Sequence, residues 1–240
     1  MMNNKRLRLV WTVILFLSLS AGTHELKAQA IDFGITAGIN ISSHTKTFRY
    51  FGKGTRLNLS PDMATNYQIG FLGRTDITNY LRVQAEPSLV LLGAHYDGTN
   101  KMVTENFQLK GRTELLYLQL PLLVQLSTVS SLPKVYGLPF VATTFHLSGG
   151  IFGGYLLDSR FTGTNFGTSL PYGHFSYDVG NQYGKFDGGL MLGFGLESGN
   201  DSKIGFEVRG MYSFINSGSG DDRYFRPQNL AASFAVYYVL

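Results

Sequence analysis

The sequence predicts an all-β protein, an eight-stranded antiparallel up-and-down transmembrane β-barrel preceded by a cleaved signal peptide. Three observations carry the prediction. Eight segments alternate apolar and polar residues with period two, the spacing at which successive side chains of a strand point to opposite faces. These segments run to about ten residues, the length a tilted strand needs to cross a bilayer, whereas strands of soluble domains average roughly five to six. The connections between them are long and short in turn, as in a barrel with long loops on one side of the membrane and tight turns on the other.

At the N-terminus, Lys5, Arg6 and Arg8 precede an apolar run from Leu9 to Leu19, and Ala28, Gln29 and Ala30 supply a small-x-small site. That order is the plan of a secretory signal, with cleavage after Ala28 or after Ala30. The apolar run falls short of the ~20 residues of a spanning helix. Residues 1–30 are therefore assigned to the signal and residues 31–240 to one barrel domain. Glycine, charge or proline interrupts every later apolar stretch, so insertion beyond this point uses strands.

The first predicted strand sets Phe33, Ile35, Ala37, Ile39 and Ile41 against Asp32, Gly34, Thr36, Gly38 and Asn40. In the second, Tyr67, Ile69 and Phe71 oppose Gln68, Gly70, Leu72 and Arg74; in the third, Leu81, Val83, Ala85, Leu89 and Leu91 oppose Arg82, Gln84, Glu86 and Ser88. The fourth places Leu116, Leu118, Leu120, Leu122, Val124 and Leu126 opposite Tyr117, Gln119, Pro121, Leu123 and Gln125. Phe145, Leu147, Ile151 and Tyr155 face away from His146, Ser148, Gly150, Phe152 and Gly154 in the fifth. The sixth divides Phe186, Leu190, Leu192, Phe194 and Leu196 from Asp187, Gly189, Met191, Gly193, Gly195 and Glu197. Ile204, Phe206, Val208, Tyr212 and Phe214 oppose Gly205, Glu207, Arg209 and Ser213 in the seventh, and Leu230, Ala232, Phe234, Val236, Tyr238 and Leu240 oppose Ser233, Ala235 and Tyr237 in the last.

The intervening lengths are 25 residues (42–66), 5 (76–80), 22 (93–114), then later 28 (157–184), 6 (198–203) and 15 (215–229). Residues 127–143 break the pattern. There Ser130 to Lys134 reads as the turn, with the fifth strand beginning early and changing phase at a bulge near Pro139; irregular structure is the alternative. In hydrocarbon an unpaired backbone group costs several kcal/mol, so the first strand must pair with the last. An even strand number then leaves both termini in the periplasm and the long loops outside the cell.

Composition narrows the function. The 29 glycines, 14 tyrosines and 18 phenylalanines suit strands and tight turns. With no cysteine, disulfides, thiolate metal sites, cysteine nucleophiles and a lipidated N-terminal cysteine are excluded. Four of the 20 basic residues and one of the 16 acidic ones precede residue 31, so the formal charge of +4 falls to +1 in the mature chain. That removes the electrostatic motive for binding nucleic acid. No glycine motif opens a helix to cradle phosphate, and no cofactor is expected.

Inward-facing charges form the principal candidate site. Asp32, Arg74, Arg82, Glu86, Glu197, Glu207 and Arg209 all fall in the periplasmic half of the predicted lumen. Charges persist in a low-dielectric interior when paired and hydrogen-bonded, so these seven are expected to form one connected plug of ion pairs. Closing the lumen and fixing strand register is the favoured role; a proton or solute path is the rival. Rings near segment ends, Tyr67, Tyr80, Tyr117, Tyr155, Phe186, Tyr212, Phe214 and Tyr238, supply candidates for interfacial girdles.

Two other constellations bear on chemistry. His146 and Ser148 share a face of the fifth strand, and a His-x-Ser pair there resembles part of the active site of outer-membrane lipid A deacylases. No acidic orienter stands at a diagnostic spacing, and packing in the lumen is the competing role. His44, His95 and His174 fall in the predicted outer loops, where no spacing defines a metal site.

The segments "FGITAGINIS", "YQIGFLGRTDITNYLRVQAEPSLVLLGAHY", "LLYLQLPLLVQL" and "KFDGGLMLGFGLE" together resemble the PorT-like outer-membrane β-barrel family common in Bacteroidetes. The likeness covers nearly the whole mature chain. It implies an eight-stranded barrel in the outer membrane of a Gram-negative cell, in contact with lipid; the family's namesake takes part in secreting proteins across that membrane. The leading reading is a non-enzymatic barrel that binds or assembles through loops 42–66, 93–114 and 157–184. Phe48, Tyr50, Phe51, Arg56, Phe161, Phe166, Tyr172, Phe175 and Tyr177 are available there either to meet a protein or glycan partner or to extend the hairpins. A secretion component, a lipid-modifying enzyme and a narrow pore are the alternatives.

Overall fold

The computed structural model describes residues 31–45, 48–52, 55–101, 106–128, 143–167, 173–180, 183–199, 202–215 and 227–240. The predicted signal with its cleavage after Ala28 or Ala30, the turn at Ser130 to Lys134 and the bulge near Pro139 lie outside these residues. Twelve strands are described: β1 (Asp32–His44), β2 (Phe48–Gly52), β3 (Thr55–Asp76), β4 (Leu81–Ala85), β5 (Ser88–Leu92), β6 (Ala94–Lys101), β7 (Asn106–Ser127), β8 (Thr143–Gly167), β9 (Gly173–Asp178), β10 (Phe186–Gly199), β11 (Lys203–Ser213) and β12 (Asn229–Val239). No helix among them is long and apolar enough to cross a membrane.

Every pairing is antiparallel, and the sheet closes on itself. β1 pairs with β3 from Asp32↔Arg74 to Ser42↔Ala64, and with β12 from Gly34↔Val239 to His44↔Asn229. From β12 the ring continues through β11, β10, β8 and β7. β4, β5 and β6 act as one interrupted stave between β7 and β3. Among the described residues the ring thus has eight staves, while β2 and β9 fold back as hairpin partners of β3 and β8. The terminal strands meet as predicted from the cost of an open edge in hydrocarbon.

The faces also follow the period-two reading. Phe33, Phe71, Phe186, Leu192 and Phe194 are each more than 60% exposed on the outer wall, whereas Thr36, Gln84, Gln119, Ser148 and Arg209 are buried inside. Exposing a belt of such side chains to water would cost about 1.5–3 kcal/mol for each one, so the belt calls for an apolar medium around it. Of the predicted girdle rings, Tyr67, Tyr80, Tyr155, Phe186, Tyr212, Phe214 and Tyr238 are exposed, but Tyr117 is buried in the lumen. Tyr117 stands on the inward face of β7, next to an outward leucine at 118.

Two irregularities matter for the site. Pro87 offers no N–H to a ladder, so the stave breaks between β4 and β5; Phe71 N donates instead to Pro87 O (2.9 Å) and Glu86 N to Pro121 O (3.1 Å). In β8 the register jumps, Leu116 opposing Asp158 and Tyr117 opposing Leu156, so Leu157 is an extra residue. That bulge exchanges the faces of everything beyond it. Phe161, an outer-loop residue in the sequence reading, is consequently buried inside the barrel mouth. The loops predicted at 42–66, 93–114 and 157–184 are largely extended hairpins, which prolong the wall beyond the apolar belt. At the opposite end, Gly199 takes φ +141° in the β10–β11 turn, a conformation that side chains disfavour.

Candidate functional site

The lumen is filled in tiers, beginning at the short-turn end. Glu197 of β10 gathers cations from three other staves. Arg74 reaches it with both terminal guanidinium nitrogens, Nη1 bonding Oε2 and Nη2 lying 3.3 Å from Oε1. Arg82 Nη1 stands 3.5 Å from Oε2, Lys203 Nζ 3.7 Å from Oε1, and Tyr237 Oη donates to Oε2 at 3.2 Å. Arg82 Nε also donates to Asp76 Oδ1 at 2.6 Å, while Arg74 Nε is 3.6 Å from the half-exposed Asp32.

One tier further in, Arg209 bridges two carboxylates. Its Nη1 donates to Glu86 Oε2 at 2.6 Å and its Nη2 to Glu207 Oε2 at 2.8 Å. Ser148 Oγ donates to the other oxygen of Glu207, His146 Nε2 lies 3.6 Å from Glu207, and Gln84 Nε2 donates to Glu86 at 3.2 Å. Small residues make this possible. A side chain at Gly193 would strike Glu207, Ser148 and Arg209, and one at Gly205 would enter the ring of Tyr237.

All seven residues predicted for the charged network therefore face the lumen, but they form two groups rather than one connected plug. Asp32, Arg74, Arg82 and Glu197 make the first; Glu86, Glu207 and Arg209 make the second. Among the described residues no ion pair joins them, and they abut where the rings of His146 and Tyr237 approach to 6.3 Å. Period-two reasoning assigns a face but not a height, and strand tilt separates residues that sit equally far from a turn in different staves. It also misses Asp76, Lys203 and Tyr237 as partners. An inward tyrosine facing a glycine on the adjacent strand was the available signal for Tyr237.

Above the charges the lumen turns apolar. Leu123, Phe152, Met191 and Met211 are buried within one cluster that continues to Tyr96, Tyr117, Phe161, Val179 and Tyr183. Asp187 is buried in this half, held by neutral donors: Ser213 Oγ (2.9 Å), Asn229 Nδ2 (2.8 Å) and Gly188 N (2.8 Å). His44 belongs to the same mouth. Its predicted loop position is corrected by β1, which runs far enough to bury it and bring Nδ1 within 2.5 Å of Tyr96 Oη. Tyr183, between β9 and β10, covers these rings, and burial pushes its phenol well above the ordinary tyrosine value, so it stays neutral.

Other sequence candidates separate. Ser148 and His146 turn to the same Glu207 carboxylate, and no hydrogen bond joins them to each other among the described contacts. A serine whose proton is committed to a carboxylate lacks the serine-to-imidazole bond that nucleophilic activation requires. His44, His95 and His174 lie on β1, β6 and β9, and no group of three or more metal-binding side chains occurs among the described residues. Phe175 packs on Phe161 at 5.4 Å and on Tyr177 at 5.4 Å. The side chains of Phe48, Tyr50, Phe51, Arg56, Phe166 and Tyr172 lie outside the described set.

A family model described as outer membrane protein beta-barrel domain matches residues 25–218. Solved structures to which the chain is similar include OprG, an outer membrane protein from Pseudomonas aeruginosa, at 12% identity over 88% of this chain and 97% of that one, with a TM-score of 0.42. Ail, the attachment invasion locus protein of Yersinia pestis, solved in complex with the heparin analogue sucrose octasulfate, gives 10% identity, 88% and 99% coverage and a TM-score of 0.34. Neisserial surface protein A gives 11% identity, 87% and 98% coverage and a TM-score of 0.36. No curated protein matches the chain by sequence.

Proposed function

This chain belongs to the outer membrane protein beta-barrel domain family, and from that membership we propose that it serves as a non-enzymatic, sealed barrel whose long hairpins bind or assemble partners. The observation that carries the reading is the filling of the lumen. Two tiers of buried ion pairs and a continuous apolar cluster occupy the space along which a solute would travel, and an eight-stranded barrel has little room beyond its own side chains. What the wall offers in excess of a membrane crossing is the set of prolonged hairpins, and recognition commonly resides on segments held by a rigid scaffold.

On this reading residues 1–30 direct export and are cleaved after Ala28 or Ala30, both mature termini lie in the periplasm, and the hairpins project outside. Planar-bilayer recordings of the purified barrel should show no steady conductance; a reproducible open level would overturn the sealed-barrel reading. Crosslinking from intact outer membranes, with photoreactive groups placed in the hairpins, should then capture a partner.

A secretion role of the PorT-like kind is the second reading, favoured by the leucine-rich strand Leu115–Leu126 and its neighbours in sequence. Loss of signal-tagged cargo from the medium of a deletion strain is its expected outcome, and unchanged secretion would remove it.

A further inference from the structure

At the long-hairpin end, strands β3, β6, β7, β8 and β9 lie side by side, and a groove of about 640 Å³ crosses them. That volume lies in the range of small-molecule sites, roughly 300–1,000 Å³. Gly111 and Gly163 stand opposite each other on β7 and β8 in its backbone floor. A side chain at Gly163 would collide with the Lys110 carbonyl and the Phe175 ring.

The groove's charges are balanced. Asp62 and Asp97 supply two carboxylates, and Lys110 and Arg112 two permanent cations, with Thr162, Thr164, His95 and His174 completing the polar lining. Asp97 and Lys110 face each other across the β6–β7 ladder with Oδ2 and Nζ 3.8 Å apart, and both side chains are more than half exposed. That separation exceeds hydrogen-bond length. A hydroxyl placed between them donates to Asp97 and accepts from Lys110, which satisfies both ions with one group.

Alternative ligands fit less well. The central strands β6, β7 and β8 are laddered on both sides here, so a peptide main chain finds their backbone groups already engaged. A polyanion would gain two cations but meet two carboxylates at the same distance scale. Polyhydroxyl compounds, which donate and accept at every position, match both the alternation and the charge balance. Resting on the binding role assigned to the hairpins, we infer that this groove holds a short uncharged oligosaccharide.

The mature barrel in phospholipid nanodiscs is screened on a glycan array bearing neutral and sulfated oligosaccharides, and the strongest neutral probe is then titrated calorimetrically. Saturable binding that weakens about tenfold or more in Asp97→Asn and in Lys110→Met is expected, since each removes a hydrogen bond to a charged group. Retention of the wild-type strand spectrum by circular dichroism shows that both variants fold. Repeating the titration in discs containing lipopolysaccharide locates the source: competition points to sugars of the membrane itself, undiminished affinity to a free or foreign glycan. Absence of any neutral hit, binding of sulfated probes alone, or equal affinity in both variants would overturn the inference. A hairpin crosslink obtained despite such a result leaves the broader binding role standing, whereas a conducting barrel defeats the sealed-barrel reading whatever the array shows.

Discussion

The guanidinium of Arg112 donates to Asn66 Oδ1 at 2.7 Å across a place where the barrel wall has no ladder. Pairing of β3 with β5 ends at Gln68↔Val90 and resumes with β6 at Met63↔Ala94. Side chains stitch the interval: Arg112 Nη2 also donates to Thr65 O (3.1 Å), Asn66 Nδ2 to Ser42 Oγ (2.8 Å), Ser42 Oγ to Gly93 O (2.8 Å) and Asn40 Nδ2 to Leu91 O (3.1 Å). Replacing Arg112 by Met leaves the buried Asn66 carbonyl without this donor. The expected loss is about 1–3 kcal/mol, read as a lower urea midpoint by circular dichroism in detergent, with Ser42→Ala shifting it in the same direction.

Arg209 stands between Glu86 and Glu207, and its removal should be far more damaging than its replacement together with both partners. Arg209→Met leaves two buried carboxylates without their shared cation, a change expected to cost about 3–5 kcal/mol. Adding Glu86→Gln and Glu207→Gln removes both charges, and the triple variant should recover most of the loss. The same unfolding titration checks this. A triple variant no more stable than the single one would mean that packing around Arg209, rather than charge balance, sets the cost.

Much of this arrangement is legible in the sequence, and the limits of that legibility have physical causes. Alternation in β1, β7 and β10 gives the wall its two faces, because lipid and lumen impose opposite polarity on successive residues. Pairing of Asp32 with Arg74 and of Arg82 with Glu197 follows less directly, since height inside a barrel depends on shear, which no single strand encodes. His44 reads as a loop residue because no polar pattern marks how far a strand continues above a membrane. Phe161 reads as a loop residue because a one-residue bulge at Leu157 breaks the alternation without altering composition. Asp187 stands outside the predicted charge network because its partners Ser213 and Asn229 are ordinary neutral residues from other staves.

Gly205 tests whether space in the lumen is as limiting as charge. A methyl group there enters the Tyr237 ring, whose hydroxyl is bonded to Glu197. Gly205→Ala should therefore destabilise the barrel by about 1–3 kcal/mol, the usual cost of overpacking. Shortening the opposing side chain in Gly205→Ala with Tyr237→Leu should relieve part of that loss, although Tyr237→Leu alone destabilises by removing a donor to Glu197. Opposite signs for the same tyrosine change in the two backgrounds would identify a steric conflict, and urea midpoints of the four proteins give the comparison directly.

Ser148 separates a catalytic role from a structural one. Its hydroxyl bonds Glu207 in the interior, so Ser148→Ala withdraws a donor from a buried carboxylate that still has Arg209. The expected consequence is a stability loss of about 1.5–3 kcal/mol, the range for a hydrogen bond to a charged group. Mass spectra of lipid A from cells overexpressing the wild-type barrel should match those from cells expressing Ser148→Ala and from a deletion strain. Should the wild type alone remove an acyl chain, the serine would have to leave Glu207 and reach His146, and the lumen would have to open to lipid. The alanine variant then would keep its fold while losing that chemistry, the reverse of the pattern that a hydroxyl engaged in closing the barrel produces.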